Sequence, residues 1–520
     1  MNSSFCNTCK ELVPSTATER DGKVFLIKNC PKCGPTETLA SSDAKRYKDK
    51  QCLDGGFEHQ SCQLNCLQCN HRQPLNLVFV DITNRCNLNC PICINNTPSM
   101  GFLFEPPLDY FDKIFKYVST LNPRPAINIF CGEPTVRKDL FDIIQMVKSY
   151  GLTPRVVTNG LKLADEEYCR KLIATGATIL FAYDGANPET YRVLRGSAKA
   201  LELKQKALEN IRKIGDAKVG LMTLAAKGYN DHELKDLVGF CHERKEFIRA
   251  IYFMPLAHSW DSKDFDLEPE RMTTEDVEDI VAAAYPGEKI EFLPAGFMGE
   301  LKALTACLNI KPLPLLGAHP NCESVHLLIS DGTGFVPLSR YLKGSAFDVA
   351  RALREADRRL QKHLPPNGAP NGWKKKLLFL RAILTAAQEV RPHVRLGSLI
   401  KGRGLGKLYH ALAVPLGFLL GSRSRKIYGQ HTNIQGSLQL IVLPFEDRKN
   451  VESHRMERCP NAFAYYDPKQ DRVGTVPTCA WAVFLKTEAM RGIAEYYGTA
   501  SLPVSKRGPQ EEGLQAEAIR

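Results

Sequence analysis

Eighteen cysteines, most of them in closely spaced groups, constrain this 520-residue chain more than any other feature of its sequence. Two neighbouring stretches, CQLNCLQC at 62–69 and CNLNCPIC at 86–93, share the spacing C-x3-C-x2-C. The polar N-terminus MNSSFCNTCK lacks the apolar segment of a secretion signal, and reducing compartments disfavour disulfides. The cysteines therefore predict metal sites in a cytoplasmic protein.

Between Leu77 and about residue 260, short apolar runs alternate with segments of helical periodicity. The strand-like segments are LVFVDIT, AINIF, PRVVTNG, ATILFAYDG, KVGLMTLAA and RAIYFMPLA. Strands separated by helices of about 10–15 residues are typical of right-handed βαβ units in a parallel sheet. We therefore expect an α/β fold, a partial (β/α)6 barrel, with functional residues at the carboxyl ends of the strands. A Cys-rich N-terminal metal-binding region would precede it, and a C-terminal auxiliary-cluster region would follow.

The cysteine triplet Cys86, Cys90 and Cys93 comes directly after the first predicted strand. Three thiolates can bind three irons of a cubane cluster and leave the fourth iron with an open coordination position. The sequence CGEPT follows the second strand, VVTNG ends the third, and AYDGANPETYRVLRG ends the fourth. A Gly-Glu-Pro turn can present backbone carbonyls and a carboxylate to an amino group.

This ordered set of motifs resembles the radical S-adenosylmethionine (SAM) superfamily over about residues 76 to 260. The resemblance implies that Cys86, Cys90 and Cys93 hold a catalytic [4Fe–4S] cluster whose open iron binds SAM. It implies that reductive cleavage of SAM gives a 5′-deoxyadenosyl radical, with electrons from a protein such as flavodoxin or ferredoxin. The implied cofactor-binding residues are Gly132, Glu133, Pro134, Asn159 and Asp184. One departure is that Cys131 stands where the family usually has glycine.

The other cysteines predict further metal sites. Cys6, Cys9, Cys30 and Cys33 have the spacing of structural zinc, and rubredoxin-like iron fits the same four thiolates. Cys62, Cys66 and Cys69, with Cys52 upstream, predict a fully ligated auxiliary [4Fe–4S] cluster; a second zinc is the alternative. Cys322, Cys459 and Cys479 predict a third cluster, with Cys307 as a candidate fourth ligand. Packing is expected for Cys131, Cys169 and Cys241.

The whole cysteine layout, with its HPNC motif before two late cysteines, resembles a narrower group within the superfamily. That group is the tetraether lipid synthase branch, and the class D radical SAM methyltransferases, proposed to act on pterins, look similar. Likeness to the synthase implies three [4Fe–4S] clusters and one rubredoxin-like iron. It also implies C–C bond formation at an unactivated carbon of a lipid chain.

The basic charge of the chain is concentrated in one segment. Residues 340–430 contain 19 Lys and Arg against 4 Asp and Glu, a net charge of +15, whereas the whole chain carries +12. One predicted helical stripe here contains Trp373, Leu377, Leu380, Leu384 and Ala387, and an apolar run at 408–420 is flanked by Lys407, Arg423, Arg425 and Lys426. Apolar faces edged by basic residues favour anionic membrane surfaces; a core helix with a solvated basic edge is the alternative. The segment lacks the interleaved aromatics of nucleic-acid binding.

We therefore predict a radical SAM enzyme that forms a C–C bond in a lipid chain. The alternatives are a methyltransferase acting on a pterin-like or other small substrate, and a non-catalytic iron–sulfur electron carrier. We expect a cytoplasmic protein that can contact the inner face of the membrane and that binds no nucleic acid. The expected regions are a metal-binding domain, an auxiliary cluster segment, the barrel, the C-terminal region and a disordered tail, at 1–50, 51–75, 76–290, 291–490 and 491–520.

Overall fold

The computed structural model describes residues 2–60, 62–67, 69, 73–258, 269–308, 317–364, 373–419 and 424–501. The predicted tail at 491–520 is partly wrong, because its first residues continue a helix as far as Tyr496. The rest of that tail, from 502 onward, lies outside the described residues, as does Arg423.

The N-terminal region is a small antiparallel sheet followed by one helix. Its four strands pair in chain order and are β1 (Ser3–Phe5), β2 (Leu12–Arg20), β3 (Lys23–Cys30) and β4 (Gly34–Ser41). Helix α1 (Ala44–Gln51) begins after Asp43, whose carboxylate accepts a hydrogen bond from the backbone N–H of Arg46 at 2.9 Å. Such a cap satisfies an N–H group that the first helical turn otherwise leaves unpaired.

The six predicted strands form the centre of a parallel sheet, and the predicted helices connect them. The strands are β5 (Leu77–Asp81), β6 (Ala126–Phe130), β7 (Thr153–Thr158), β8 (Thr178–Ala182), β9 (Val219–Ala225) and β10 (Ile248–Pro255). The helices are α2 (Leu108–Ser119), α3 (Leu140–Ser149), α4 (Glu166–Ala174), α5 (Pro188–Arg195), α6 (Ala200–Ile214) and α7 (Leu237–His242). Their apolar faces pack with the strands in one core, which also contains Cys131, Cys169 and Cys241. The α/β fold class is therefore confirmed.

The C-terminal half completes this sheet at both edges. Its strands are β11 (Leu293–Pro294), β12 (Ser324–Ser330), β13 (Phe335–Pro337), β14 (Gly436–Val442), β15 (Asn461–Asp467) and β16 (Arg472–Pro477). Strand β14 pairs in parallel with β10, and β15 pairs in parallel with β5 at the opposite edge. The sequence did not predict this continuity, because periodicity identifies strands but does not identify partners several hundred residues away.

The remaining helices cover the C-terminal strands and the mouth of the barrel. They are α8 (Thr274–Ala282), α9 (Lys302–Leu308), α10 (Ala346–Gln361), α11 (Trp373–Val390), α12 (Leu396–Leu399), α13 (Gly404–Leu419), α14 (Ser424–His431), α15 (Ser453–Glu457), α16 (Thr478–Ala480) and α17 (Lys486–Tyr496). The carboxylate of Asp81, at the end of β5, accepts hydrogen bonds from Trp481 Nε1 at 2.9 Å and Lys486 Nζ at 3.0 Å. Among the described residues, no helix combines the length and apolar character needed to cross a membrane.

Candidate active site

The cysteine loop after β5 lies at the carboxyl end of the parallel sheet. Cys86, Cys90 and Cys93 all line one cavity of about 240 Å³. The backbone N–H of Leu88 approaches Cys86 Sγ at 3.4 Å, and Asn159 Nδ2 approaches the same sulfur at 3.9 Å. Burial raises the pKa of the Cys86 and Cys90 thiols, while the nearby Arg195 guanidinium acts in the opposite direction on Cys90. N–H groups and a cation beside the sulfurs suit an anionic thiolate cluster, so these residues fit a [4Fe–4S] group.

The Gly-Glu-Pro turn after β6 packs directly against the cysteine loop. Gly132 has φ +52°, and a Cβ there would lie 2.2 Å from the carbonyl oxygen of Arg85, so no other residue fits without a shift of backbone. The N–H of Glu133 donates to the same carbonyl at 2.8 Å. Gly132 and Glu133 line the cavity, whereas Pro134 is buried at the start of a short 3₁₀ helix behind it.

The Glu133 carboxylate has an internal role that the sequence did not predict. It accepts hydrogen bonds from Thr135 N and Oγ1 at 3.1 and 2.7 Å, from Thr158 Oγ1 at 2.7 Å and from Asn159 N at 2.6 Å. Burial raises the pKa of Glu133, and these donors oppose that rise. Three of these bonds go to Oε1 and one goes to Oε2, so this group fixes the β6 turn to the end of β7. The backbone of the turn and the remaining acceptor capacity of Oε2 are the parts available to a cofactor amino group.

Asn159 and Asp184, both predicted to contact the cofactor, differ in position. Asn159 lines the cavity and donates from Nδ2 to Asn87 Oδ1 at 2.7 Å. Asp184 is fully buried and does not line the cavity, so its predicted cofactor contact finds no support in its position. It instead holds Arg195, whose Nε and Nη2 lie 2.7 and 2.8 Å from its oxygens. Burial raises the pKa of Asp184 and Arg195 lowers it, and the net result is a lowered pKa.

Arg195 is a cavity residue beside the cysteine loop that sequence reasoning missed. It lines the cavity beside Cys90, and its own pKa is raised because the Asp184 pair outweighs burial. Lys204 on α6 supports the same region by donating to the carbonyl of Ala182 at 2.7 Å, and burial lowers its pKa to about 8. The pairing could have been suspected from the spacing of Asp184 and Arg195, since both lie in the quoted motif after β8.

Three late cysteines converge on the far side of the same cavity. Cys322, Cys459 and Cys479 line it, and each has a pKa raised by burial. The thiols of Cys322 and Cys459 also act on the pKa of Cys479. Cys307 does not join them: on α9 it packs in a separate apolar cluster with Leu53 and Leu304. Its helix directs the thiol into that cluster, so the structure does not support its assignment as a fourth ligand.

Cys62, Cys66 and Cys69 form a neighbouring group of thiols. The pKa of Cys66 is raised to about 12, chiefly by burial and then by the thiols of Cys62, Cys69 and Cys459. The Cys52 thiol is not among the groups that shift the pKa of Cys66, and it lies exposed at the C-terminal cap of α1. The thiol of Cys459 therefore acts on this group, whereas the place predicted for Cys52 as its fourth ligand stays a prediction.

The N-terminal sheet brings its four cysteines to one point. The sulfurs of Cys6, Cys9, Cys30 and Cys33 all lie within 4.8 Å of one another. Backbone N–H groups of Thr8 and Cys33 lie 3.4 Å from the sulfurs of Cys6 and Cys30. Hydrogen bonding from the Cys9 backbone lowers the pKa of Cys6 to about 6. Four thiols in this arrangement fit one tetrahedral metal ion.

Comparison with known proteins places the chain in a class. A profile of the radical SAM superfamily matches residues 80–241, and one described as the HMPTM N-terminal zinc ribbon domain matches residues 2–42. Together with a relative that is 32% identical over 359 residues, covering 66% of this chain and 71% of the relative, these matches show that the chain belongs to the radical SAM superfamily. It is therefore a radical SAM protein with a cysteine-rich N-terminal ribbon, and the superfamily implies a [4Fe–4S] cluster and SAM.

That relative is 7,8-dihydro-6-hydroxymethylpterin dimethyltransferase of Methanocaldococcus jannaschii. A GTP 3′,8-cyclase of Campylobacter curvus is 30% identical over 224 residues, covering 41% of this chain and 65% of the cyclase. The FeFe-hydrogenase maturase HydG from Carboxydothermus hydrogenoformans matches in structure at a TM-score of 0.34 and 14% identity, covering 46% of this chain and 56% of HydG. That score is too low to support an argument. The tetraether lipid synthase resemblance is not confirmed by these relatives.

Proposed function

We propose that the chain is a radical SAM methyltransferase that acts on a pterin-like heterocycle. The observation that carries this proposal is the cavity between the two cysteine groups, which has the polar residues Asn128, Arg155 and Tyr252 among apolar walls. An alkyl chain there would strip these groups of water without bonding to them, which costs free energy. A flat polar ring could form hydrogen bonds with these groups and would avoid that cost. The printed activity of the Methanocaldococcus jannaschii relative, on a hydroxymethylpterin, favours the same substrate class.

The cluster and SAM, when bound, would supply a radical able to remove hydrogen from an unactivated carbon. The chain's own residues would position and protect that chemistry. Cys86, Cys90 and Cys93 would hold the cluster, and Arg195 would offset its negative charge. The apolar walls, including Phe130 and Met222, would keep water from the reacting centre.

We further propose auxiliary clusters at the two other thiol groups, and zinc in the N-terminal ribbon. The two groups supply six thiols, from Cys62, Cys66, Cys69, Cys322, Cys459 and Cys479. Zinc is favoured by the spacing of the knuckles and by the name of the matching ribbon family. In this proposal the site residues keep the roles predicted for them, apart from Cys52, Cys307, Pro134 and Asp184.

The test is an anaerobic assay of the reconstituted full chain with SAM, a strong reductant and 7,8-dihydro-6-hydroxymethylpterin. We expect 5′-deoxyadenosine together with a methylated pterin detected by mass spectrometry. Cys90→Ala should produce neither, whereas Cys169→Ala, a core substitution on α4, should retain both. If 5′-deoxyadenosine forms and the pterin mass does not change, the substrate assignment is wrong. If no 5′-deoxyadenosine forms on protein with intact clusters, the enzymatic assignment fails as well.

Lipid C–C bond formation is a second candidate, and one observation favours it. Helices α11 and α13 expose large apolar side chains, with Trp373 70%, Leu405 86% and Leu412 63% exposed. They belong to the segment of net charge +15. Exposed apolar residues among basic ones suit an anionic bilayer surface. Comparing lipid extracts and pterin pools of cells with and without the protein would separate the two candidates.

A further inference from the structure

The cavity has a polar floor below the cysteine groups. Three strand residues form this floor: Asn128 on β6, Arg155 on β7 and Tyr252 on β10. Each lies two or three residues before the carboxyl end of its strand. Their side chains therefore point into the barrel well below the loops that carry Cys86, Cys90 and Cys93. The other strand residues lining the cavity are mostly apolar, such as Phe79 and Leu180.

Arg155 is a buried cation without an acidic partner. It is 8% exposed, and its recorded hydrogen bond runs from Nη2 to the hydroxyl of Tyr252 at 3.3 Å. Other buried arginines pair with carboxylates: Arg137 with Asp139 at 2.6 Å and Arg458 with Asp54 at 2.9 Å. Within the described ranges, Arg155 forms no ion pair. An unpaired buried charge is costly, so its retention in a cavity points to a ligand.

Asn128 provides the second, independent observation. It is 3% exposed, and its Oδ1 atom finds no hydrogen-bond partner in the part of the chain that the structure describes. It is the register partner of Arg155 on the neighbouring parallel strand, which places the two backbones about 4.8 Å apart. Buried amide groups are almost always hydrogen-bonded in folded proteins. Two adjacent polar groups therefore lack bonds that a ligand could supply.

The floor is shaped by a glycine. Gly220 on β9 neighbours Tyr252, and a Cβ at Gly220 would lie 3.0 Å from the tyrosine ring. The missing side chain leaves room for the ring inside the barrel, where its hydroxyl meets Arg155. The tyrosine thereby limits the rotamers of the guanidinium, which faces the cavity in a preset orientation.

We propose that Arg155 and Asn128 bind the lactam edge of the substrate ring, namely a ring carbonyl beside a ring N–H. The inference rests on the proposed function and names the part of the pterin that is recognised. The guanidinium donates to the carbonyl oxygen, and the Asn128 amide, which offers both a donor and an acceptor, bonds the adjacent N–H. A ring with an amino group in place of the carbonyl would present a donor to Arg155 and lose that bond. Recognition by buried polar groups rejects such analogues strongly, because the groups are left unpaired.

The test compares two ligands that differ only at that edge, where the second has an amino group in place of the carbonyl and no hydrogen on the adjacent ring nitrogen. The full chain, with its iron–sulfur clusters reconstituted, is titrated with 6-hydroxymethylpterin and with 2,4-diamino-6-hydroxymethylpteridine. Binding is followed by the fluorescence of the ligands. Wild type should prefer the oxo compound by about tenfold or more, the ratio expected for one hydrogen bond to a charged group. Arg155→Gln should abolish the preference by weakening only the oxo compound. The control is Arg170→Gln, an exposed residue of α4 that should change nothing.

Each outcome decides between the proposals. Equal binding of both compounds to wild type, or an undiminished preference in Arg155→Gln, overturns the lactam assignment while leaving a pterin substrate in place. Binding of neither compound to protein with intact clusters overturns the lactam assignment, and if 7,8-dihydro-6-hydroxymethylpterin is not methylated either, the pterin substrate itself is overturned. If Arg155→Gln loses iron, Tyr252→Phe serves in its place. It removes only the hydroxyl that orients Arg155, and should reduce the preference for the oxo compound several-fold.

Discussion

At Gly132 the backbone of the cysteine loop and the backbone of the β6 turn come into contact. Its φ of +52° already favours glycine, and the carbonyl oxygens of Arg85 and Thr83 occupy the space that a Cβ would need. The preceding Cys131 also has a positive φ, +73°, although it carries a side chain. A left-handed conformation costs a non-glycine residue about 1–2 kcal/mol. The tight approach therefore depends on Gly132, and Cys131 tolerates the strain within a buried environment.

We expect Gly132→Ala to displace the cysteine loop and to abolish SAM cleavage. The matched control is Gly176→Ala, where φ is +73° and nothing lies within 4 Å of the added Cβ. The control should lose about 1 kcal/mol of unfolding free energy from backbone strain alone and keep its iron. Iron content and 5′-deoxyadenosine yield of the two variants give the comparison. Equal iron content and equal 5′-deoxyadenosine yield in the two variants would mean that the close contact with Arg85 has no effect on function.

The residues of the site were only partly predictable from sequence. Cys86, Cys90, Cys93 and Asn159 meet as expected, because residues at the carboxyl ends of parallel strands share one edge of a sheet. Asp184 stands at such an end as well, yet it pairs with Arg195 instead of facing the cavity. A strand end gives the location of a side chain, whereas its partner depends on which opposite charge lies within reach.

Helix α1 joins the N-terminal sheet to the barrel through a buried ion pair. Lys50 Nζ lies 2.7 Å from carboxylate oxygens of both Glu275 and Glu278 on α8, and all three side chains are at most 3% exposed. Burial opposes the charge of Lys50, but the two glutamates raise its pKa overall. Helices α1 and α8 are therefore held together by charged groups that have no access to water.

Lys50→Met should destabilise the protein by about 3–5 kcal/mol, because it leaves the buried Glu275 without its counter-charge and Glu278 with only the longer pair to Arg46 at 3.4 Å. Lys45→Met provides the control on the same helix, since that lysine pairs with Asp49 in an exposed position. Exposed pairs contribute little, so this variant should unfold like the wild type. Urea unfolding of both variants measures the difference. A midpoint for Lys50→Met equal to that of Lys45→Met would contradict the role assigned to the buried pair.

Helices α11 and α13 present the surface that would contact an anionic bilayer under the second candidate function, and the following expectations hold for that candidate. We expect the protein to sediment with phosphatidylglycerol vesicles and not with phosphatidylcholine vesicles, and salt should weaken the binding because it screens charge. Replacing Leu405, Leu408 and Leu412 together by serine should remove the binding. Tyr496→Ser, at a 56% exposed position on α17, is the control. Binding that survives the triple substitution would refute this surface.

At the scale of the whole molecule, the sheet edges come together at the auxiliary cysteines. Glu323, just before β12, accepts a hydrogen bond of 3.4 Å from Asn461 Nδ2 at the start of β15. These strands belong to the two opposite ends of the extended sheet. Cys322 and Cys459 adjoin the bonded residues, and Cys479 follows β16. Metal ligands at such a junction would join the first and last strands of the barrel.

The Cys459 thiol acts on the pKa of both Cys66 and Cys479, so Cys459→Ala should affect both groups of auxiliary thiols. We expect about 12 iron atoms per chain in the wild type, from three cubane clusters, with one zinc in the ribbon. The Cys459→Ala variant should lose about 4–8 of those iron atoms. Cys307→Ala, at a buried cysteine of the separate apolar cluster, should lose none. Iron and sulfide analysis after reconstitution provides the measurement, and full iron retention in Cys459→Ala would exclude its position as a ligand.

The six central strands and their helices follow from local periodicity, and their prediction is confirmed. Strands β14 and β15 could not be placed in the same way, since their partners β10 and β5 lie about 190 and 380 positions earlier in the chain. The late cysteines were recognised as a group, but the distribution of ligands between two neighbouring groups required the geometry. Sequence patterns report local structure, whereas pairing between distant segments reflects the packing of the entire chain.

Pairing of β5 with β15 also sets an order of events during synthesis. Strand β5 leaves the ribosome long before its neighbour exists, and until then it presents an unpaired edge open to other chains. Such late, non-local pairing slows folding. The nascent barrel must therefore stay open at both edges until β14 and β15 have been translated. Any cell that produces this protein has to protect the unfinished sheet from aggregation, and Cys459 and Cys479 can join the other thiols of the cavity only once β15 and β16 have formed.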